Sequence, residues 1–325
     1  MTRLAIAFSL AAIFAVAVGG RVTRGERDAF HDHSDTGRLV HVLPSPDIVP
    51  RDTAHLNAPR ERGLHVYSAS YGSGKLRNHG GHEIPFAGFY AIFWNSTVAN
   101  SAGSQGYPTL EAQIAAFAQS YSDGAAYTQT DTAADYTIIT QYSATDTIQP
   151  ALAYVGATVD SQATQSTISD SGIHTYLASF FKAHPGVTPN ANTVFGIYFP
   201  HGMKITLQRS ASCSAFCGYH SSFSYNGIDV KYAVFPFTDC SGCTLSGKTV
   251  SDILTIVSSH EIRESVTDAD GTAWYDAVGY EADDKCAWHN LYQMSRSGKS
   301  TFWVQPEYSN GGNGFPGPGC VVPLP

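Results

Sequence analysis

The chain has 325 residues and a formal charge of −8, and only 14% of its residues are charged. So weakly charged and acidic a chain lacks the clustered Lys and Arg that phosphate backbones require, which excludes nucleic acid as a partner class. The length suffices for one large domain or two small ones, and an even set of six cysteines points to an oxidising compartment.

A lone Arg3 precedes an apolar run from Leu4 to Val18, shorter than the about 20 residues that a membrane-spanning helix needs. With Ala17, Gly19 and Gly20 behind it, this segment reads as a secretory signal peptide spanning residues 1–20. The protein is therefore expected to be secreted, extracellular and free of the membrane once cleaved. Residues 21–63 hold scattered Arg, His, Asp and Pro with no sustained helical or strand period. They read as a disordered linker or propeptide, with Arg60-Glu61-Arg62 as an accessible processing site. The sequon Asn95-Ser96-Thr97 is a candidate glycan acceptor that directly follows an apolar run.

Residues 64–325 read as one domain in which strands and helices alternate. Strands are expected over Ile84–Trp94, Tyr136–Tyr142, Ala151–Val159, Thr193–Phe199, Lys204–Gln208 and Val230–Phe237, all rich in aromatic and β-branched residues. Leu110, Ile114, Phe117 and Tyr121 recur at helical spacing after Pro108 and Thr109. A second helical stretch runs from Ser161 to His184, interrupted near Gly172, and a third from Lys248 to Val266. The Gly- and Pro-rich tail from Asn310 has Cys320 as its anchor. The fold class expected is α+β or α/β, with a mixed sheet.

Six cysteines allow 15 pairings. Local spacing favours Cys213–Cys217, Cys240–Cys243 and Cys286–Cys320. The competing arrangement is a structural zinc site built from Cys213, Cys217, Cys240 and Cys243, which an oxidising compartment disfavours.

The third helix ends in His260-Glu261-Ile262-Arg263-Glu264. His260 and Glu264 stand four apart, so they project from one face one turn apart, as two metal ligands must. Glu261 lies between them, where a general base would meet a metal-bound water. The pattern is a zincin signature with Glu in place of the second His. A zinc site needs a third protein ligand. The next residues supply candidates in Asp268, Asp270, Asp276, Glu281, Asp283 and Asp284, with Arg263 the one basic residue between 261 and 284. So many carboxylates repel one another unless a cation is near. The bland alternative is an amphipathic helix whose His and Glu face solvent.

Ser259–Asp268, Ala273–Asp276 and Gly279–Trp288 resemble secreted microbial proteins related to the plant EXORDIUM, or phosphate-induced protein 1, family. Phe216-Cys-Gly-Tyr-His220 resembles that family's aromatic-Cys-Gly-aromatic-His segment, and Tyr232-Ala-Val before the Cys240/Cys243 loop resembles its Tyr-Ala strand. Asn78-His-Gly-Gly81 resembles its His-Gly-Gly entry, with His82 where that family has Pro. The resemblance runs from about residue 64 to 322. It implies a zincin-type metallopeptidase with His260 and Glu264 as ligands, Glu261 as base and Glu281 as third ligand, Asp284 and Asp268 being rivals. His220 is then a transition-state donor or extra ligand, or a structural histidine, and Tyr219 a candidate oxyanion donor or a core residue. Zinc is the expected ion and calcium the alternative. A carboxylate in place of the second imidazole lowers the metal's Lewis acidity. The rival function is that of the plant members, non-catalytic wall-associated proteins that engage cell-wall or matrix components.

Overall fold

The computed structural model describes residues 29–49, 64–121, 134–296 and 300–323. The signal-peptide reading of 1–20 and the processing site at Arg60–Arg62 lie outside the described residues. The architecture is mixed α/β around a mainly sheet core.

Seven strands form the central sheet: β1 (His31–His33), β2 (Leu39–Pro44), β3 (Gly88–Phe93), β4 (Ala153–Val159), β5 (Thr193–Tyr198), β6 (Phe216–Tyr225) and β7 (Ile228–Phe235). Their spatial order is β1-β2-β6-β7-β5-β3-β4. β3, β4, β5 and β7 run parallel, whereas β6 pairs antiparallel with both β7 and β2. The parallel strands β3 and β5 are buried on both faces and read as continuous apolar runs, Gly-Phe-Tyr-Ala-Ile-Phe and Thr-Val-Phe-Gly-Ile-Tyr.

Three longer helices cover the sheet: α1 (Leu110–Tyr121), α2 (Asp170–Ala183) and α3 (Val250–Thr267). Residues alternate between faces along a strand. Tyr198 accordingly meets Ser258 of α3 at 2.8 Å, while Phe195, three residues earlier, packs on Phe181 of α2. α3 and α2 therefore sit on opposite faces. α3 begins at a capping box in which Thr249 and Asp252 satisfy each other's backbone amides. Almost every residue of α3 is buried, so it is an interior helix rather than an amphipathic surface one. That disposes of the solvent-facing reading of His260 and Glu264.

Several expectations need correction. Tyr136–Tyr142 is helical, Ala134–Thr137 followed by a 3-10 turn at Ile138–Tyr142. Its β-branched and aromatic residues suggested a strand, but Tyr136, Ile139 and Tyr142 recur every three residues and are all wholly buried, a helical stripe. The helix expected from Ser161 starts at Asp170, where Ser169 caps it by accepting from the Gly172 amide. The cysteines pair as Cys213–Cys240, Cys217–Cys243 and Cys286–Cys320. The two cysteine loops lie side by side, so the first two bridges interleave across them rather than closing locally. With no free cysteine, a cysteine zinc site is not formed.

Part of the segment expected to lack regular structure is regular. β1 and β2 form a hairpin that extends the main sheet, with His41 of β2 directly opposite His220 of β6. A run of Val40, Val42 and Leu43, all buried, drives that docking. No helix among the described residues is long and apolar enough to cross a membrane. That and the three disulfides are compatible with an extracellular protein.

Candidate metal centre

The site lies where the C-terminal half of α3 crosses β6 and β2, closed on its far side by residues 268–286. Gly218 makes the crossing close. A methyl there would overlap Val257 and come within 2.8 Å of Glu261 Oε1, so only a bare Cα admits the helix. His220 lies two residues beyond Gly218 and shares its face, and the cross-strand partner His41 points the same way. Tyr219 points to the other face and donates to Asp170 at 2.7 Å, which removes it as an oxyanion donor.

Around this point the carboxylates are anchored by one oxygen and present the other inward. Glu264 Oε1 accepts the Asp284 amide at 2.9 Å, leaving Oε2 at 2.9 Å from His260 Nε2. Asp284 Oδ2 accepts the Glu281 amide at 3.0 Å, leaving Oδ1 at 3.7 Å from His260 Nε2. A zinc ion bonded at about 2.0–2.2 Å to three such atoms would hold them at about these separations. His260, Glu264 and Asp284 thus form one group able to hold a cation, every member buried. Glu281, the ligand implied by the resemblance, instead groups with His41 and Asp284, its Oε2 lying 3.2 Å from His41 Nδ1 and 3.7 Å from His220 Nε2. Glu261 Oε2 bonds His220 Nδ1 at 3.2 Å. His260 Nε2, His41 Nδ1, Glu261 Oε1, both Glu281 oxygens and Asp284 Oδ1 are buried without a hydrogen-bond partner. Such orphaned atoms are costly and call for a ligand.

The electrostatics agree. Burial first, and then their carboxylate neighbours, hold Glu261, Glu264, Glu281 and Asp284 well above the ordinary carboxylate range. Burial likewise lowers His41 and His260, and pushes His220 down to about 3, so the imidazoles are neutral and free to ligate. The basic side chains are committed elsewhere. Lys285 pairs with Asp276 at 2.8 Å, and Lys231 with Asp270 at 2.7 Å. Arg263 pairs with Asp283 and with Glu307.

His41 and Gln305 escaped the sequence reading, which noted Arg263 only as the one basic residue among the carboxylates. The Gln305 amide donates to the Asp283 carbonyl at 2.6 Å and sits 3.1 Å from His260 Nδ1, orienting the ring. Ligation through Nε2 leaves the proton on Nδ1, so metal binding requires the Gln305 amide to turn and give up its bond to the Asp283 carbonyl. The Val-His-Val-Leu run at 40–43 was the signal for His41. Gln305 carried none, because its partner lies 45 residues away.

Comparison with known protein families, curated proteins and solved structures finds no match in any of the three.

Proposed function

We propose that the chain is a secreted, metal-dependent hydrolase of the metallopeptidase type, with a zincin-like helix in α3. The observation that carries this reading is the convergence of His260 Nε2, Glu264 Oε2 and Asp284 Oδ1, orphaned or inward-facing, beside the Glu261–His220 pair. When bound, zinc would polarise a scissile carbonyl and lower the pKa of a water at its open position. Glu261 takes the proton, and its bond to His220 holds the carboxylate in place. Asp284, rather than Glu281, is the third ligand.

A second reading has its own support. β2 pairs with β6 beside the site and the donors are almost wholly buried. Burial of that kind suits a structural cation in a non-catalytic, EXORDIUM-like extracellular protein that binds wall or matrix components. The neutral imidazoles favour zinc over calcium, which takes oxygen ligands.

Glu261→Gln separates the two. Turnover of a quenched-fluorescence peptide library by the metal-loaded protein should fall about 10²- to 10⁴-fold in the variant, with metal content unchanged. Wild-type protein that holds its metal yet cleaves no peptide supports the structural reading instead.

A further inference from the structure

The group around His260 leaves part of the centre unexplained. Both Glu281 oxygens and His41 Nδ1 are buried and take no hydrogen bond from an amide, hydroxyl, Lys or Arg; Glu281 lies against His41 and the carboxylates of Asp268 and Glu264, and neither His41 nor Glu281 belongs to the His260 group. One ligating atom from each of His41, Glu281 and Asp284 lies within 4.8 Å of the others. They are brought together from distant parts of the chain: His41 by its pairing opposite His220, Glu281 and Asp284 by the loop that wraps the end of α3.

Charge points the same way. Glu261, Glu264, Asp268, Glu281 and Asp284 have no Lys or Arg partner among the described residues. Asp268 takes the Thr272 and Ala273 amides on Oδ1 and leaves Oδ2 orphaned. A single divalent ion at the His260 group leaves Glu281 and Asp268 with no cation of their own in a buried site, where they must be neutralised either by protons or by a second ion.

We propose that the centre holds a second divalent cation, bound by His41, Glu281 and Asp284, so that Asp284 bridges it to the ion at His260 and Glu264. The proposal rests on the metal centre of the preceding section. Mixed imidazole and carboxylate donors suit zinc or manganese. It also changes the standing of the N-terminal hairpin. β2 supplies a ligand, so residues 29–49 are part of the metal centre and not merely a cover to be discarded.

The test is ion stoichiometry. Full-length protein, stripped with chelator and reloaded with Zn2+, is freed of loose metal and analysed by elemental mass spectrometry. Wild type should retain about two ions per chain, and His41→Ala and Glu281→Gln about one each. Loading with Mn2+ should give the spectrum of a spin-coupled pair, reduced to that of isolated Mn2+ in both variants. Saturation of wild type at one ion overturns the second site and leaves the His260 site standing. Two ions in both variants likewise overturns it. No ion in folded wild type overturns the first site as well. Should His41→Ala fail to fold, wild type and Glu281→Gln decide the matter.

Discussion

Arg263 sits within the motif but is committed to Asp283 and Glu307 rather than to the proposed ligands, and its removal should be felt as stability. It is wholly buried, with its guanidinium on Asp283, on the Gln305 carbonyl at 2.9 Å and at 2.8 Å from Glu307. Arg263→Met keeps the side-chain volume but strands two buried carboxylates. Breaking a buried pair by removing one partner costs about 3–5 kcal/mol, and with two carboxylates sharing one cation the upper part of that range applies. For a domain of this size, that corresponds to a Tm lower by about 10–15 °C. Urea unfolding of the chelated protein, followed by tryptophan fluorescence, reads the difference directly. Adding Asp283→Asn and Glu307→Gln to Arg263→Met should restore more than half of the loss, because the stranded charges disappear. An Arg263→Met protein within about 1 kcal/mol of wild type would refute the claim that this cation neutralises the back of the site.

Gly218→Ala should cost about 1–3 kcal/mol by pushing α3 off β6, and should weaken zinc retention, both measurable on one preparation. Retained stability and metal would mean that the close crossing is not needed. Zinc uptake by chelated protein at pH 6.5 should release protons. Burial and neighbouring carboxylates hold Glu264, Glu281 and Asp284 well above the ordinary carboxylate range in the cation-free site, whereas burial lowers His260. Affinity should therefore rise with pH, and calorimetry in buffers of different ionisation enthalpy counts the protons; none released contradicts the burial argument. Asp268, raised by burial to about 6, adds stability to the cation-free fold at low pH that is lost as the pH rises from about 4 through 6. Non-reducing peptide mapping should recover Cys213–Cys240 and Cys217–Cys243. Removing the first bridge as a Ser pair should cost about 3–4 kcal/mol by the loop-closure relation, and local Cys213–Cys217 pairing in the map would contradict the fold.

The sequence told unevenly of fold and site. α3 was legible because Val250, Ile253, Leu254 and Val257 keep one face and run into the His-Glu motif; the capping box of Thr249 and Asp252 that starts it went unread. Strands β3, β4, β5 and β7 were legible because β-branched and aromatic runs were bounded by turn residues. Tyr136–Tyr142 misled because propensity and period disagreed there, and tertiary burial followed the period. Cys286–Cys320 was legible from spacing, but the pairing of the other four cysteines was hidden because spacing along the chain says nothing of two loops meeting side by side. The acidic block declared a cation problem, but not its division. Arg263 and Lys285 answer part of it, and the rest depends on which carboxylate oxygens the backbone amides of Asp284 and Glu281 capture. His41 was hidden by its surroundings, since Arg- and Pro-rich residues on either side masked a short buried strand.

The most direct test of the metal centre is anomalous diffraction at the zinc edge from crystals of the zinc-loaded protein. A peak is expected within bonding distance of His260 Nε2, Glu264 and Asp284, with the Glu261–His220 pair beside it. A well-ordered site with no peak there, its carboxylates paired through shared protons, would contradict it.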